Sequence, residues 1–200
     1  MGHPDHHASG HVRKLFPADL AEFRTHLLRL DPESRRARFA MVATDAFISG
    51  YAETAFALDT ILFGYFEAGE MRAAAELRML SGQPAGMAEA AFSVEPAYRH
   101  RGLGSQLMEQ LIVAARNRGV RKLYMSCLGW NRAMQALARR FSAELVFETE
   151  DVLGILEAPA ATPSSLMQEA WSDAGSFATA ILDLQHRWWK RYAFLRARTP

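Results

Sequence analysis

From residue 11 onward the spacing of apolar positions changes period several times, and each change marks an element. HVRKLF (11–16) suits a short strand. Pro17 and Asp19 then open a helix in which Leu20, Phe23, Leu27 and Leu30 follow at steps of three, four and three, one apolar stripe. DPESRRARF (31–39) places an Asp cap, a Pro at the first helical position and an early Glu in order, the start of a second short helix. The period is ambiguous over 41–57, where a helix is expected at about 44–55. A period of two then takes over. DTILFGYF (59–66), MRAAAELRML (71–80) and MAEAAFSV (87–94) are separated by the turns EAGE (67–70) and SGQPAG (81–86), which predicts an antiparallel meander.

Past residue 100 the period becomes four. Leu103, Leu107, Leu111 and Ala115 predict a helix of about four turns, stopped by Gly119. RKLYMSCL (121–128) is a strand. Asn131 can cap a helix that runs through Phe141, and AELVFE (143–148) and DVLGILE (151–157) are two more strands. The domain is therefore expected to span 11–157. Residues 1–10 are expected to be a flexible tail, and its His3, His6 and His7, with His11 beyond, have no acidic or cysteine partner at ligand spacing, so no metal is expected. APAATPSS (158–165) predicts a linker into a C-terminal helical extension that ends the chain at 200. There Phe177, Ile181, Leu184, Trp188, Tyr192 and Leu195 form a stripe, which can pack on the domain's own sheet or join two copies as a homodimer. The basic end (Arg187, Lys190, Arg191, Arg196, Arg198) can alternatively meet an anionic partner.

Composition narrows the class. The 200 residues are 50% apolar, enough for one α/β domain with a sizeable core. A net charge of +1, from 23 basic and 22 acidic residues, supplies no field for nucleic acid. The single cysteine, Cys127, excludes a disulfide framework. No apolar run approaches the ~20 residues that span a bilayer, and the N-terminal residues lack the apolar core of a signal peptide. A cytoplasmic protein with no membrane contact is expected.

The stretch SVEPAYRHRGLGSQLM (93–108) carries the first candidate chemistry. A strand leads through a Pro turn and three basic residues into two close glycines where a helix begins. A helix start leaves N–H groups pointing outward with partial positive charge, a ready anion site. Glycines let a ligand approach the backbone closely, and two together permit a concave nest. Arg99 and Arg101 can add charge, and His100 can touch phosphate. The dinucleotide fingerprint GxGxxG fails because Leu107 stands where its third glycine belongs, and the pattern GxxxxGK[ST] fails as well. A helix start with turn glycines and no ligand remains the alternative.

Arg99-His100-Arg101-Gly102-Leu103-Gly104 resembles the Arg/Gln-x-x-Gly-x-Gly/Ala acyl-CoA signature of the GNAT superfamily of N-acetyltransferases. The order of elements over 11–157 fits that resemblance, and MAEAAFSVEPAYRHRGLGSQLMEQLIVAARNRGVRKL with DPESRRARF upstream is most similar to bacterial protein-lysine acetyltransferase domains. The resemblance implies an α/β (α+β) fold, a mixed, mostly antiparallel sheet flanked by helices, with acetyl-CoA as co-substrate. It places the cofactor where the strand ending near Val94 splays from the strand ending near Cys127. The backbone of Phe92, Ser93 and Val94 would face pantetheine and the thioester. The N–H groups of His100, Arg101, Gly102, Leu103, Gly104 and Ser105 would hold the pyrophosphate, and Asn131 would lie near its far side.

An acceptor amine, with a lysine-like pKa of about 10.4, must lose a proton before it attacks. Glu89 is the candidate base, implied by the AE-x-x-F context of the resembled enzymes and set among Ala88, Ala90 and Phe92. Glu53, Glu76 and Glu95 are rivals. Many superfamily members place a tyrosine seven residues after the helix-opening Asn to protonate the departing thiolate. Here that position is Ala138, and Tyr124 or solvent would have to substitute. Cys127 reads as a buried strand residue rather than an acyl carrier, and His26 as structural. The expected activity is transfer of an acetyl group to a primary amine, on a protein lysine or a small molecule, in a ternary complex. A non-catalytic acyl-CoA sensor is the alternative.

Overall fold

The computed structural model describes residues 10–80 and 85–196, with side chains as far as 185. The elements run in chain order β1 (His11–Lys14), a 3-10 turn (Pro17–Asp19), α1 (Leu20–Arg29), α2 (Pro32–Phe39), α3 (Asp45–Thr54), β2 (Thr60–Glu67), β3 (Glu70–Met79), β4 (Met87–Val94), a second 3-10 turn (Pro96–Tyr98), α4 (Leu103–Asn117), β5 (Lys122–Leu128), α5 (Arg132–Arg140), β6 (Glu144–Phe147), β7 (Asp151–Glu157) and α6 (Pro163–Arg196). The helix ends follow local chemistry. Asp31 accepts the Ser34 N–H at 2.7 Å with Pro32 at the first helical position, and Thr44 accepts the Phe47 N–H at 3.2 Å.

The strands form one sheet in the order β1-β2-β3-β4-β5-β7-β6, and only β4–β5 pairs in parallel. Each face carries its own core. On one face Ala73, Ala75, Ala88 and Ala90 are small enough to let α4 lie close through Leu103, Leu107 and Leu111. On the other, Leu62, Phe66, Met71 and Ala74 pack with Phe23 and Leu27 of α1 and Ile48 and Ala52 of α3. A fully buried Leu or Phe adds about 1.5–3 kcal/mol. Among the described residues no helix is long and apolar enough to cross a membrane.

The C-terminal helix begins at Pro163, inside the expected linker. Phe177, Ile181 and Leu184, members of the stripe expected to pack on the domain's own sheet or to join two copies, are exposed rather than packed on the sheet. The helix is instead held by polar groups. Ser165 and Glu169 bond Asn117, Asp173 takes the Lys14 ammonium at 2.6 Å, Ser176 Oγ accepts the Lys14 N–H at 3.1 Å, and Asp183 takes Arg13 Nε at 2.9 Å. A short edge strand has N–H groups to satisfy, and hydroxyls and carboxylates do that better than a Phe. Trp188, Tyr192, Leu195 and the basic end lie outside the described side chains, as does the histidine tail.

Candidate active site

β4 and β5 stay paired for three steps only, Met87↔Lys122, Ala88↔Leu123 and Glu89↔Tyr124. Beyond Glu89, β4 remains on β3 while β5 remains on β7, so the sheet opens as a V. A cleft of about 760 Å³ occupies the opening. Its walls are Phe92, Ser93 and Val94 of β4, the segment His100–Ser105 without Arg101, the Trp130–Arg140 stretch, and Ser34, Ala37 and Arg38 of α2.

Register sorts the three β4 residues. The Glu95 N–H bonds the Arg72 carbonyl at 3.0 Å, so in the antiparallel alternation Ser93 also bonds β3. Phe92 and Val94 therefore turn N–H and C=O into the V, where no strand takes them. Ser93 contributes its side chain rather than its backbone.

The start of α4 is built as a cradle. His100 (φ 61°) and Gly102 (φ 77°) both adopt left-handed backbone, which coils the loop so that successive N–H groups face one side. Among the described residues the N–H groups of Arg101, Gly102, Leu103 and Gly104 find no partner, whereas that of Ser105 bonds the Gly102 carbonyl at 3.0 Å. A Cβ on Gly104 would meet only Leu137, at 3.5 Å. The fold itself therefore has room for a side chain there, and a bare backbone suits a ligand resting on it. These donors fit a pyrophosphate.

The basic residues divide. Arg99 lines the cleft and donates to Ser34 Oγ at 2.6 Å. Arg101, expected to add charge there, turns away, pairing Glu67 at 3.3 Å with its guanidinium over the Tyr98 ring. Two cations that periodicity did not single out, Arg132 and Arg140 of α5, line the cleft with Arg38. The only hint of them is that α5 carries no acid. Asn131 caps α5, accepting the Met134 N–H at 3.1 Å, and borders the cleft.

The carboxylates separate clearly. Glu76, 4% exposed, is held by Arg38, Arg78 and the Tyr51 hydroxyl. Burial and that carboxylate push the Tyr51 hydroxyl up to about 12. Glu95 would be raised by burial, but hydrogen bonds from His26 and Arg29 and the charge of Arg29 bring it down to about 2. Both carboxylates are occupied by arginines, and Glu53 is exposed on α3. The Glu89 carboxylate makes no hydrogen bond or ion pair among the described residues. It stands half-buried at the vertex of the V, just outside the cleft lining and on the face that carries Arg78. Burial raises the Cys127 thiol, with Asp151 adding to it, so this sulfur is a poor nucleophile.

His26, read as structural from the sequence, lies fully buried under this site. Its Nδ1 is 3.2 Å from Glu95 Oε1 and its Nε2 is 2.8 Å from Ser93 Oγ. Burial, assisted by the charges of Arg29 and Arg72, holds it below its ordinary 6.5 against the pull of Glu95. A histidine so depressed stabilises the fold fully above 6.5 and loses that contribution as pH falls below it. A carboxylate depressed from 4.5 to about 2 loses its contribution between those values. Stability is therefore expected to fall in two stages on acidification. Urea unfolding across the range checks it, and His26→Gln should remove the first stage.

A sheet opened between one parallel pair, with unpaired backbone donors at a helix start beside it, offers a cleft for an extended ligand that carries phosphate. The chain belongs to the acetyltransferase (GNAT) family, whose model matches residues 24–142, and is an N-acetyltransferase of that family with acetyl-CoA as co-substrate. Among solved structures it is similar to the GNAT domain of PAT from S. lividans (TM-score 0.64, 22% identity, covering 78% of this chain and 99% of that one). It is also similar to the PaiA N-acetyltransferase of Thermoplasma acidophilum in complex with coenzyme A (0.57, 17%, 74% and 99%). A third similar structure is the ribosomal-protein-S18-alanine N-acetyltransferase of Escherichia coli (0.58, 20%, 78% and 97%). At these identities the likeness is one of fold. Among curated proteins none matches the chain.

Proposed function

We propose that this protein transfers the acetyl group of acetyl-CoA directly to a primary amine in a ternary complex, with a protein lysine as the first acceptor to test and a small-molecule amine as the second. The observation that carries the reading is the V between β4 and β5, with the unpaired N–H groups of Arg101–Gly104 at one end and those of Phe92 and Val94 in its wall. The first group suits the pyrophosphate. The second suits the thioester carbonyl, whose oxygen gains charge on attack.

Glu89 is assigned the first deprotonation, through water, because it alone of the four candidate glutamates is both partly shielded and unpaired among the described residues. CoA release by Glu89→Gln should fall about 10²-fold relative to wild type across an amine panel, the usual worth of a positioned base. Unchanged turnover would remove Glu89 from that role.

One observation favours a second reading, an acyl-CoA sensor without turnover. Ala138, at the position where the resemblance places a proton-donating tyrosine, is a buried core residue, 2% exposed. Tight acetyl-CoA binding with no transfer to any amine would select it. The exposed Trp171, Phe177 and Ile181 on α6 support the homodimer expected from the sequence, and sedimentation across concentrations tests it.

A further inference from the structure

Ser93, His26 and Glu95 form a hydrogen-bonded line from the cleft into the interior that the proposed activity has not yet used. Ser93 is 7% exposed and lines the cleft, while His26 is 0% exposed. Ser93 Oγ is thus the bridge between a sealed imidazole and the site. The proton positions follow from the partners. Glu95 is an ionised carboxylate, so His26 Nδ1 carries the hydrogen and donates to it. Nε2 is then bare and accepts from the Ser93 hydroxyl at 2.8 Å. The charged groups around the ring are Glu95, which favours its protonated form, and Arg29 of α1 and Arg72 of β3, which oppose it. Arg29 and Arg72 also pair Glu95, at 2.8 and 3.2 Å, and hold it in place.

Acetyl transfer to an ammonium leaves two protons to place. One must leave before attack, the work assigned to Glu89. The other sits on the acceptor nitrogen once the new C–N bond forms, while the thiolate that departs with the C–S bond electrons needs one. Glu89 lies four strand residues from Ser93, about 13 Å along β4, so it takes its proton through water as the amine enters, before the nitrogen reaches Ser93, and is too far away to serve the second transfer. We propose that Ser93 and His26 form the relay for the second proton. Ser93 Oγ takes it from the acceptor nitrogen as its own hydrogen passes to His26 Nε2. The imidazolium is held by Glu95, and the proton returns through Ser93 to the thiolate sulfur. One proton enters the relay and one leaves, so His26 ends neutral as it began. The burial that disfavours the imidazolium makes that return favourable. The relay stands where Ala138 leaves no tyrosine, and it rests on the acetyltransferase reading above.

Threonine and valine at position 93 have the same shape and differ in the hydroxyl, so comparing them separates proton transfer from packing. Ser93→Thr should keep kcat within a few-fold of wild type, while Ser93→Val should lose about 10²-fold. KM for acetyl-CoA should stay within about twofold in both, because the loss is in chemistry and not in binding. His26→Gln should match Ser93→Val, and the double variant should cost no more than either alone, as expected of residues acting as one unit. If Thr and Val turn over alike, the relay is wrong, whether or not His26→Gln folds. If wild type turns over but Glu89→Gln alone is impaired, the relay again fails while the acetyltransferase reading stands. A wild type that transfers acetyl to no amine overturns that reading and the relay together.

Discussion

Asp19→Ala should destabilise the fold by about 3–5 kcal/mol, the cost of taking from a buried guanidinium the carboxylate that holds two of its nitrogens. Arg13 is 2% exposed on the edge strand, and Asp19 is 1% exposed in the turn that follows. The two meet fork to fork, at 2.8 and 2.9 Å, while Asp19 also accepts the Phe16 N–H at 3.0 Å. The guanidinium lies 4.0 Å over the Phe66 ring and reaches Asp183 of α6. Burial alone would lower its pKa, but the hydrogen bonds and charges of Asp19 and Asp183 raise it. A guanidinium keeps its charge inside proteins, so Arg13 cannot escape the penalty by releasing a proton when Asp19 is lost. The melting temperature should fall by roughly 10 °C for a chain of this size. Arg13→Met combined with Asp19→Leu should recover most of that, since a buried pair replaced by apolar side chains is often neutral. A loss below ~1 kcal/mol for the single variant would mean that water reaches the pair.

Gly104→Glu should weaken acetyl-CoA binding by about 10²- to 10³-fold without harming the fold. An acidic side chain in the first turn of α4 favours the helix dipole, and the only protein atoms near the new Cβ are those of Leu137 at 3.5 and 3.8 Å. The same carboxylate would stand against the ligand's phosphates, and like charges in contact cost several kcal/mol, each 1.4 kcal/mol being tenfold in affinity. Gly104→Ala is the control, expected to bind acetyl-CoA nearly as well and to stabilise α4 by up to ~1 kcal/mol. Calorimetric titration with acetyl-CoA, beside a thermal melt, separates affinity from stability. Equal binding by Gly104→Glu and wild type would place the pyrophosphate elsewhere.

Much of the cradle was legible beforehand because it is local. Gly102 and Gly104, the helix that starts at Leu103 and the Asn131 cap are each set by a few consecutive residues, and the expected elements agree with the structure to within a residue or two. Arg101 was misjudged because a long side chain chooses between partners, and Glu67, 34 residues away, lies nearer than the cleft. The partners of His26 were hidden for the same reason. Ser93 and Glu95 are 67 and 69 residues distant, and a histidine on an apolar helix face gives no sign of what it will meet. Arg132 and Arg140 carry no local sign of the cleft, because only the packing of α5 beside the V brings them to it.

The sequence by itself determined the succession of strands and helices and the glycine turn at the start of α4, because periodicity, caps and glycine backbone act over one or two turns of chain. The tertiary structure alone decided which glutamates are neutralised. Glu76 and Glu95 are held by arginines brought from other elements, and Glu89 is left unpaired among the described residues. It also decided how α6 is held. The residues that bind it, Ser165, Glu169, Asp173, Ser176 and Asp183, are polar and recur at helical steps. A hydrophobic period could not reveal them, since they meet the polar end of α4 at Asn117 and the edge strand β1, which need hydrogen bonds more than apolar contact.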